Sequence, residues 1–339
     1  MEFTIGGRLE VRITPADVGK RVSVRRRTDS GGAGAEFADA VGVLTSWDNG
    51  VLSITRKSGE SIHIVESSLV AGKLVPAAPA RRRGPAASFG ELAAVTARAW
   101  QPVESAALGD WRLRAAGGFT RRANSALPLG DPGLPVGEAL GRVRAWYEER
   151  GLPAYVQTAT GAEGTQEVLC AELERHGWRR EVSAEVRIAA LAPVGDQEAD
   201  VSAVRLSRAP DAPWLARYQR FSTPGPSVLR VLGSGPSVWF ATVPGDTGGA
   251  DADPDTPPAA IGRCVVDGRW AGFMAVEVAP EQRRRGLATA VMTALARRAL
   301  DEGASAAWLQ VEEDNEGARA LYDAMGFSAH HRYHHYRSA

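Results

Sequence analysis

Between Phe273 and Glu302 the sequence runs strand, glycine-broken turn, helix, and that order constrains the fold more than any other feature of the chain. Phe273-Met274-Ala275-Val276-Glu277-Val278-Ala279-Pro280 reads as a β-strand closed by proline, Gln282 to Ala288 as the turn, and Ala288 to about Glu302 as the helix. Such a turn presents consecutive backbone N–H groups and the positive end of a helix dipole, a geometry suited to a phosphate or pyrophosphate. Gly286 relieves the turn, and Ala288 lets the backbone approach a ligand closely. Three consecutive arginines, Arg283-Arg284-Arg285, also describe an ordinary solvated patch, so the residues that follow must decide.

After the helix comes an apolar strand, Ala306 to Val311. Glu312-Glu313-Asp314-Asn315 then leads into a second helix that closes on Ala320-Leu321-Tyr322-Asp323-Ala324-Met325-Gly326-Phe327. The order V-x-P-x-x-R-x-x-G-x-A, helix, strand, Asn, helix, L-Y-x-x-x-G-F resembles the second half of the GNAT superfamily of N-acetyltransferases. The resemblance extends over residues 201–339 and, more loosely, 89–193; residues 1–75 lie outside it. As a whole the chain is similar to the actinobacterial acetyltransferases that join a small N-terminal barrel to a C-terminal GNAT unit. Members of that group carry the labels N-acetylglutamate synthase and histone-like acetyltransferase. The resemblance implies an α/β (α+β) GNAT fold with a mixed central sheet and acetyl-CoA as donor.

Residues 1–75 alternate in short runs at Arg8–Ile13, Arg21–Arg25, Ala40–Leu44, Val51–Thr55 and Ser61–Val65. Asp48-Asn49-Gly50 between two such runs is a strong hairpin signal. Four or five strands in so short a segment predict a small all-β barrel of the Src-homology-3-like kind. Residues 76–88, rich in Pro and Ala around Arg81-Arg82-Arg83, read as a linker, and 244–258 as a mobile loop between two strands.

Within 89–193, Gly137–Arg150 reads as a helix closed by Gly151, Ala154–Thr158 as a strand, Gln166–His176 as a helix closed by Gly177-Trp178, and Val182–Ile188 as a strand. The same order recurs from Ala288 through Gly303, Trp308–Val311 and Gly326-Phe327, each glycine reading as a left-handed helix cap. The expectation is a tandem GNAT arrangement. Its degenerate first copy, 89–193, has Leu134-Pro135-Val136-Gly137 in place of the CoA loop, and its catalytic copy is 194–339. The alternative is an unrelated α/β segment that shares only cap chemistry. In the catalytic copy we expect a first strand at Val201–Leu206, short helices at Pro213–Phe221 and Ser227–Leu232, and two strands after the final helix.

With 40 basic and 40 acidic residues and 44% hydrophobic residues, composition points neither to disorder nor to a polyanion binder. The clusters Arg25-Arg26-Arg27 and Arg81-Arg82-Arg83 lack interleaved aromatics, which disfavours a nucleic-acid partner. No apolar stretch approaches about 18 residues, so no membrane span is expected. A start lacking an apolar run argues against a signal peptide. Cys170 and Cys264, without CxxC spacing, fit reduced core thiols, and the expected location is the bacterial cytoplasm.

Acetylating an amine from a thioester requires a neutral amine, a stabilised oxyanion and a proton for the departing thiolate. The resemblance places the pyrophosphate on Arg283, Arg284, Arg285, Gly286, Leu287 and Ala288, and the oxyanion on backbone N–H groups of the splayed strand at Val276 and Val278. It makes Tyr322 the acid that protonates the sulfur, and Asn315 a contact to the pantetheine end. Asn315 also suits a helix N-cap. Glu277 is the first candidate for general base and Glu312 the second. Gln310 stands where ribosomal-protein alanine acetyltransferases carry a glutamate, and it accepts no proton at neutral pH. His330, His331, His334 and His335 fall on one strand, where His331 and His335 lie about 13 Å apart. That is too far to share an ion, so no metal is expected. The strand instead lines the acceptor cleft, with an imidazole as a pH-sensitive contact. Two acceptors stay open: an amino acid such as L-glutamate, with Arg332 or Arg263 for its carboxylates, or a protein lysine docked through the barrel. A CoA-binding sensor without turnover is the alternative function.

Overall fold

The computed structural model describes residues 10–28, 36–75, 84–218, 225–245 and 257–339. Of the expected linker only 84–88 is among them, and of the loop 244–258 only its ends.

The N-terminal segment forms a five-stranded antiparallel sheet: β1 (Arg21–Thr28), β2 (Glu36–Asp48), β3 (Val51–Thr55), β4 (Ser61–Val65) and β5 (Leu69–Leu74), in the order β4-β3-β2-β1-β5. Asn49 and Gly50, with φ of 53° and 74°, supply the left-handed backbone conformation that lets a two-residue hairpin match the right-handed twist of β2 and β3. Val22, Val24, Leu44, Leu52 and Ile54 form its core. The strand expected at Arg8–Ile13 is, among the described residues, a single bridge from Val11 to Gly72. The fifth strand is β5 instead. Its Gly72 hides the alternation because Ile13 packs over it, 2.9 Å from where a Cβ would sit.

Next come α1 (Phe89–Ala99), a small sheet of β6 (Glu104–Leu108), β7 (Trp111–Ala115) and β8 (Leu127–Pro128), then α2 (Val136–Glu148), β9 (Tyr155–Thr160), α3 (Glu167–Arg175), β10 (Arg179–Ala190) and α4 (Leu191–Gly195). The C-terminal part holds β11 (Arg205–Ser207), α5 (Ala212–Arg217), α6 (Pro226–Leu232), β12 (Ser237–Val243), β13 (Ala260–Asp267), β14 (Trp270–Val278), α7 (Leu287–Asp301), β15 (Ala306–Glu312), α8 (Glu316–Ala324) and β16 (Ser328–Arg337). Helices α2, α3, α7 and α8 each run out at a glycine of positive φ: Gly151 (62°), Gly177 (79°), Gly303 (89°) and Gly326 (90°). The four sequence-predicted caps are therefore real.

One eight-stranded sheet spans both segments, in the order β11-β12-β13-β14-β15-β10-β16-β9. Here one expectation is corrected. A single strand, not two, follows α8, because β10 occupies the neighbouring slot. Ala184–Ala190 of β10 pair with β15, and the other edge of β10 pairs with β16, which runs on to β9. Each of the two helix–strand–helix–strand runs thus gives its last strand to the other. The first strand of the C-terminal part is also shorter than expected, Arg205–Ser207.

Side-chain alternation gives this sheet two buried faces. On one, α1, α5 and α6 cover Val186, Ile188, Trp270, Trp308 and Tyr333. On the other, α7 covers Phe273 and Leu309, with Phe327 alongside. The N-terminal sheet is docked rather than loose. Thr160 Oγ1 donates to Lys57 O (3.1 Å), Arg180 Nη1 donates to Ser58 O (3.3 Å), and a Cβ on Gly59 would sit 2.8 Å from His334 Nε2. Among the described residues no helix is long and apolar enough to cross a membrane.

Candidate active site

Strand β14 enters the site through a break in its pairing. β14 and β15 run parallel from Trp270↔Ala306 to Phe273↔Leu309, and then diverge although both strands continue. Against β13, β14 carries one extra residue: Ile261 faces Glu277, yet Arg263 faces Met274. The bulge centres on Ala275, held at φ 52°, a conformation costing a non-glycine residue about 1–2 kcal/mol. Beyond it, Ala279 N–H bonds back to Ala259 O on the far side. Alternation then turns the N–H groups of Val278 and Val276 into the gap between the strands. The side chains of Val276 and Val278 pack with Leu321 and Tyr322 against the α7 core. Glu277, between the two valines, projects to the opposite face.

The turn that follows is built as an anion nest. Arg284 (φ 65°) and Gly286 (φ 78°) are both left-handed, Gly286 is the N-cap of α7, and no side chain caps it. The first backbone bond of that helix end is Ala290 N–H to Gly286 O. The N–H groups of Leu287, Ala288 and Thr289 therefore lack helical partners and point out along the dipole. Arg283, Arg284, Arg285 and Gly286 are exposed, with Arg285 reaching back to Gln282. This arrangement fits a pyrophosphate through backbone donors and charge together.

Tyr322 lies on α8 beside this gap, its ring 6.0 Å from that of Phe327. Burial pushes its hydroxyl up to about 12, against a smaller opposing pull from Arg187. It therefore stays a proton donor at any physiological pH. Asn315 is the N-cap of α8, its Oδ1 accepting from Ala318 N–H at 3.1 Å, so its capping role is realised.

The helix carrying Tyr322 is held by β10, a strand the sequence predicted without its tie to α8. Arg187, 5% exposed, bonds the Asp323 carboxylate, Arg319 O (3.3 Å) and Phe327 O (3.4 Å). Buried Glu185 lies 3.4 Å from Arg319 and 3.5 Å from Arg332, which also pairs with Glu313. Two charges at alternate positions of an otherwise apolar strand, Ala184-Glu185-Val186-Arg187-Ile188, were the available signal.

The two arginines suggested for substrate carboxylates are otherwise engaged. Arg263 is fully buried and donates to Leu232 O (2.6 Å), Ser234 O (2.5 Å) and Ala99 O (3.0 Å). It ties backbone together and cannot meet a substrate. Arg332 is committed to Glu313 and Glu185. Of the four C-terminal histidines, His331 lines a cleft with Tyr333. His334 bonds Ser183 and Thr160, and His335 is buried. Burial, then neighbouring cations, holds His331 and His334 down at about 3, so neither titrates near neutral pH. Among the described residues no three His, Cys, Asp or Glu side chains are grouped to hold a metal.

A family model for the C-terminal region of the probable histone acetyltransferase Rv0428c matches residues 87–336. The chain belongs to this family. It is 28% identical over 315 residues to the probable histone acetyltransferase Rv0428c of Mycobacterium tuberculosis, covering 93% of each chain. It is also 26% identical over 245 residues to the uncharacterized N-acetyltransferase YobR of Bacillus subtilis, covering 72% of this chain and 95% of that one. Among solved structures, a GCN5-related N-acetyltransferase from Kribbella flavida superposes with a TM-score of 0.53 at 15% identity, covering 75% of this chain and 96% of that one. A tandem GNAT protein from the clavulanic acid pathway gives 0.52 at 16% identity, covering 75% and 90%. The family member described here is a GNAT-type N-acetyltransferase, and the splayed strands and nest sit where its sequence motif lies.

Proposed function

We propose that the protein transfers the acetyl group of acetyl-CoA directly to a primary amine in a ternary complex, with one active site between β14, β15, α7 and α8. The observation that carries this reading is the uncapped, left-handed nest at Arg284–Gly286 next to strands that part after Phe273. The nest would hold the pyrophosphate, and Val278 N–H, with Val276 N–H behind it, would meet the thioester oxygen. Glu277, on the acceptor side, would take the proton of the attacking ammonium. The freed amine adds to the carbonyl carbon, the oxyanion collapses and breaks the C–S bond, Tyr322 donates to the sulfur, and the second nitrogen proton restores the Tyr322 phenol through solvent. A phenol near 12 gives its proton to a free thiolate of about 8.5 only at a cost of roughly 5 kcal/mol. Tyr322 therefore acts first as a hydrogen-bond donor, and the proton moves late.

The strand exchange supports reading 89–193 as a tandem first copy without a CoA loop, retained because β10 holds α8. The N-terminal sheet, read as a Src-homology-3-like barrel, is the docking module for a protein acceptor if the acceptor is a lysine. An amino acid such as L-glutamate is the other acceptor class. Thiol release from acetyl-CoA, measured with amino acids and basic proteins, tests the reading. Tyr322→Phe should lower kcat by about 10²-fold. CoA binding with buffer-level transfer on every acceptor, in wild type and variant alike, would mark a sensor rather than an enzyme.

A further inference from the structure

On the acceptor-side face of the sheet, between α1 and the strands, lies a narrow cleft built from both halves of the chain. Its floor includes Val186 and Gln310, which pair across β10 and β15. Gln310 is the residue after Leu309, the last to pair with β14, so the cleft opens beside the splayed strands. Glu277 projects to this same face.

The cleft carries uncompensated positive charge. Arg122 lines it, its Nε donating to Tyr333 Oη (3.3 Å) and its guanidinium resting 5.3 Å from the Trp100 ring. Among the described residues no carboxylate lies within ion-pair distance of Arg122, and Glu312 acts on it only at longer range. Behind it, buried Arg114 donates to Ser125 O (2.9 Å), Ser125 Oγ (2.7 Å) and Gln157 Oε1 (2.9 Å), all of them neutral. His335 is 2% exposed, both its ring nitrogens lack a partner among the described residues, and it packs 5.5 Å from the Tyr333 ring. On the opposite face every comparable arginine has its carboxylate: Arg187 has Asp323, Arg319 has Glu185 and Arg332 has Glu313. A partly buried guanidinium without a counter-charge favours binding an anion, and its planar fork matches a carboxylate.

We infer that this cleft is the acceptor subsite and that it selects a small amine bearing a carboxylate, gripped by Arg122 and the Tyr333 hydroxyl with its amine directed to the splay. The assignment rests on the acetyl-transfer reading. Phe89 and Ala93 of α1 supply an apolar wall for a short aliphatic chain.

Matched acceptor pairs, amino acids and their amides, presented to the full chain with acetyl-CoA, give the test. Wild type should favour the acids by about tenfold or more in kcat/KM, the worth of a charge-assisted hydrogen bond. Arg122→Gln should bring that ratio toward one, chiefly through KM. Tyr333→Phe, which removes only a hydroxyl, should reduce it a few-fold and guards against misfolding of the first variant. A wild-type ratio at or below one, a ratio unchanged in Arg122→Gln, or a lysine peptide outcompeting every small acid overturns the assignment. Turnover of amides without preference removes the subsite and leaves the acetyltransferase intact. Should no acceptor turn over, calorimetry of the same acids in the presence of CoA decides: saturable binding weakened by Arg122→Gln keeps the site, and absent binding removes it.

Discussion

Removing Arg187 should damage the protein far more than removing its nearest partner. The guanidinium is 5% exposed and reaches Asp323, Arg319 O and Phe327 O, so it ties a strand of the first half to the helix that carries Tyr322. Arg187→Ala deletes hydrogen bonds from a charged donor, each worth about 1.5–3 kcal/mol net when short and buried. The two carbonyl contacts are long, and Asp323 is 64% exposed. Glu185 also keeps Arg319 and Arg332 near it. We therefore expect a loss of about 2–4 kcal/mol rather than the sum of the contacts. Asp323→Ala removes only the exposed partner and should cost about 0–1 kcal/mol. Urea unfolding at constant m-value reads both numbers. Acetyl transfer should fall in Arg187→Ala as α8 loosens, and Arg187→Lys should recover stability only in part, since an ammonium cannot span all three acceptors. Equal costs for the two alanine variants, within about 0.5 kcal/mol, would refute this account of how α8 is held.

Two further predictions concern stability alone. His331 and His334 are held at about 3 and His335 well below its ordinary value, by burial first and cations second. A folded pKa below the unfolded value of about 6.5 means the contribution is complete above pH 6.5 and drains away toward pH 3. Carboxylates do not enter until about pH 4.5, so the urea midpoint should drop between pH 7 and 5, and less so in His334→Gln; an equal or higher midpoint at pH 5 contradicts this. A Cβ on Gly272 would lie 2.3 Å from the Trp308 side chain, whereas one on Gly141, within α2, meets nothing within 4 Å. Gly272→Ala should cost about 1–3 kcal/mol and Gly141→Ala should gain about 0.5–1 kcal/mol, and thermal melts giving the same sign for both would sink the packing argument.

What could be read in the sequence was local. The nest needs only Arg284, Gly286 and the helix behind them, the caps need a glycine after each helix, and the β2–β3 turn needs Asn49-Gly50. Each of these signals lies within a few residues. The strand exchange was not legible, because which strand fills the slot beside β15 depends on pairing between residues more than a hundred positions apart. That same non-locality hid the Arg187–Asp323 tie and misassigned Arg263, whose composition says cation and whose surroundings make it a backbone clamp. The Ala275 bulge was invisible as well, since alanine gives no hint of a positive φ.

The central claim is that the first turn of α7 holds the pyrophosphate of acetyl-CoA. Ala288→Glu tests it most directly, because a carboxylate in that turn favours the helix dipole yet repels a bound phosphate. Calorimetric titration of acetyl-CoA should give one site per wild-type chain and at least about tenfold weaker binding in the variant, with the melting temperature unchanged or raised. Equal affinity in the two proteins would place acetyl-CoA elsewhere and contradict the account.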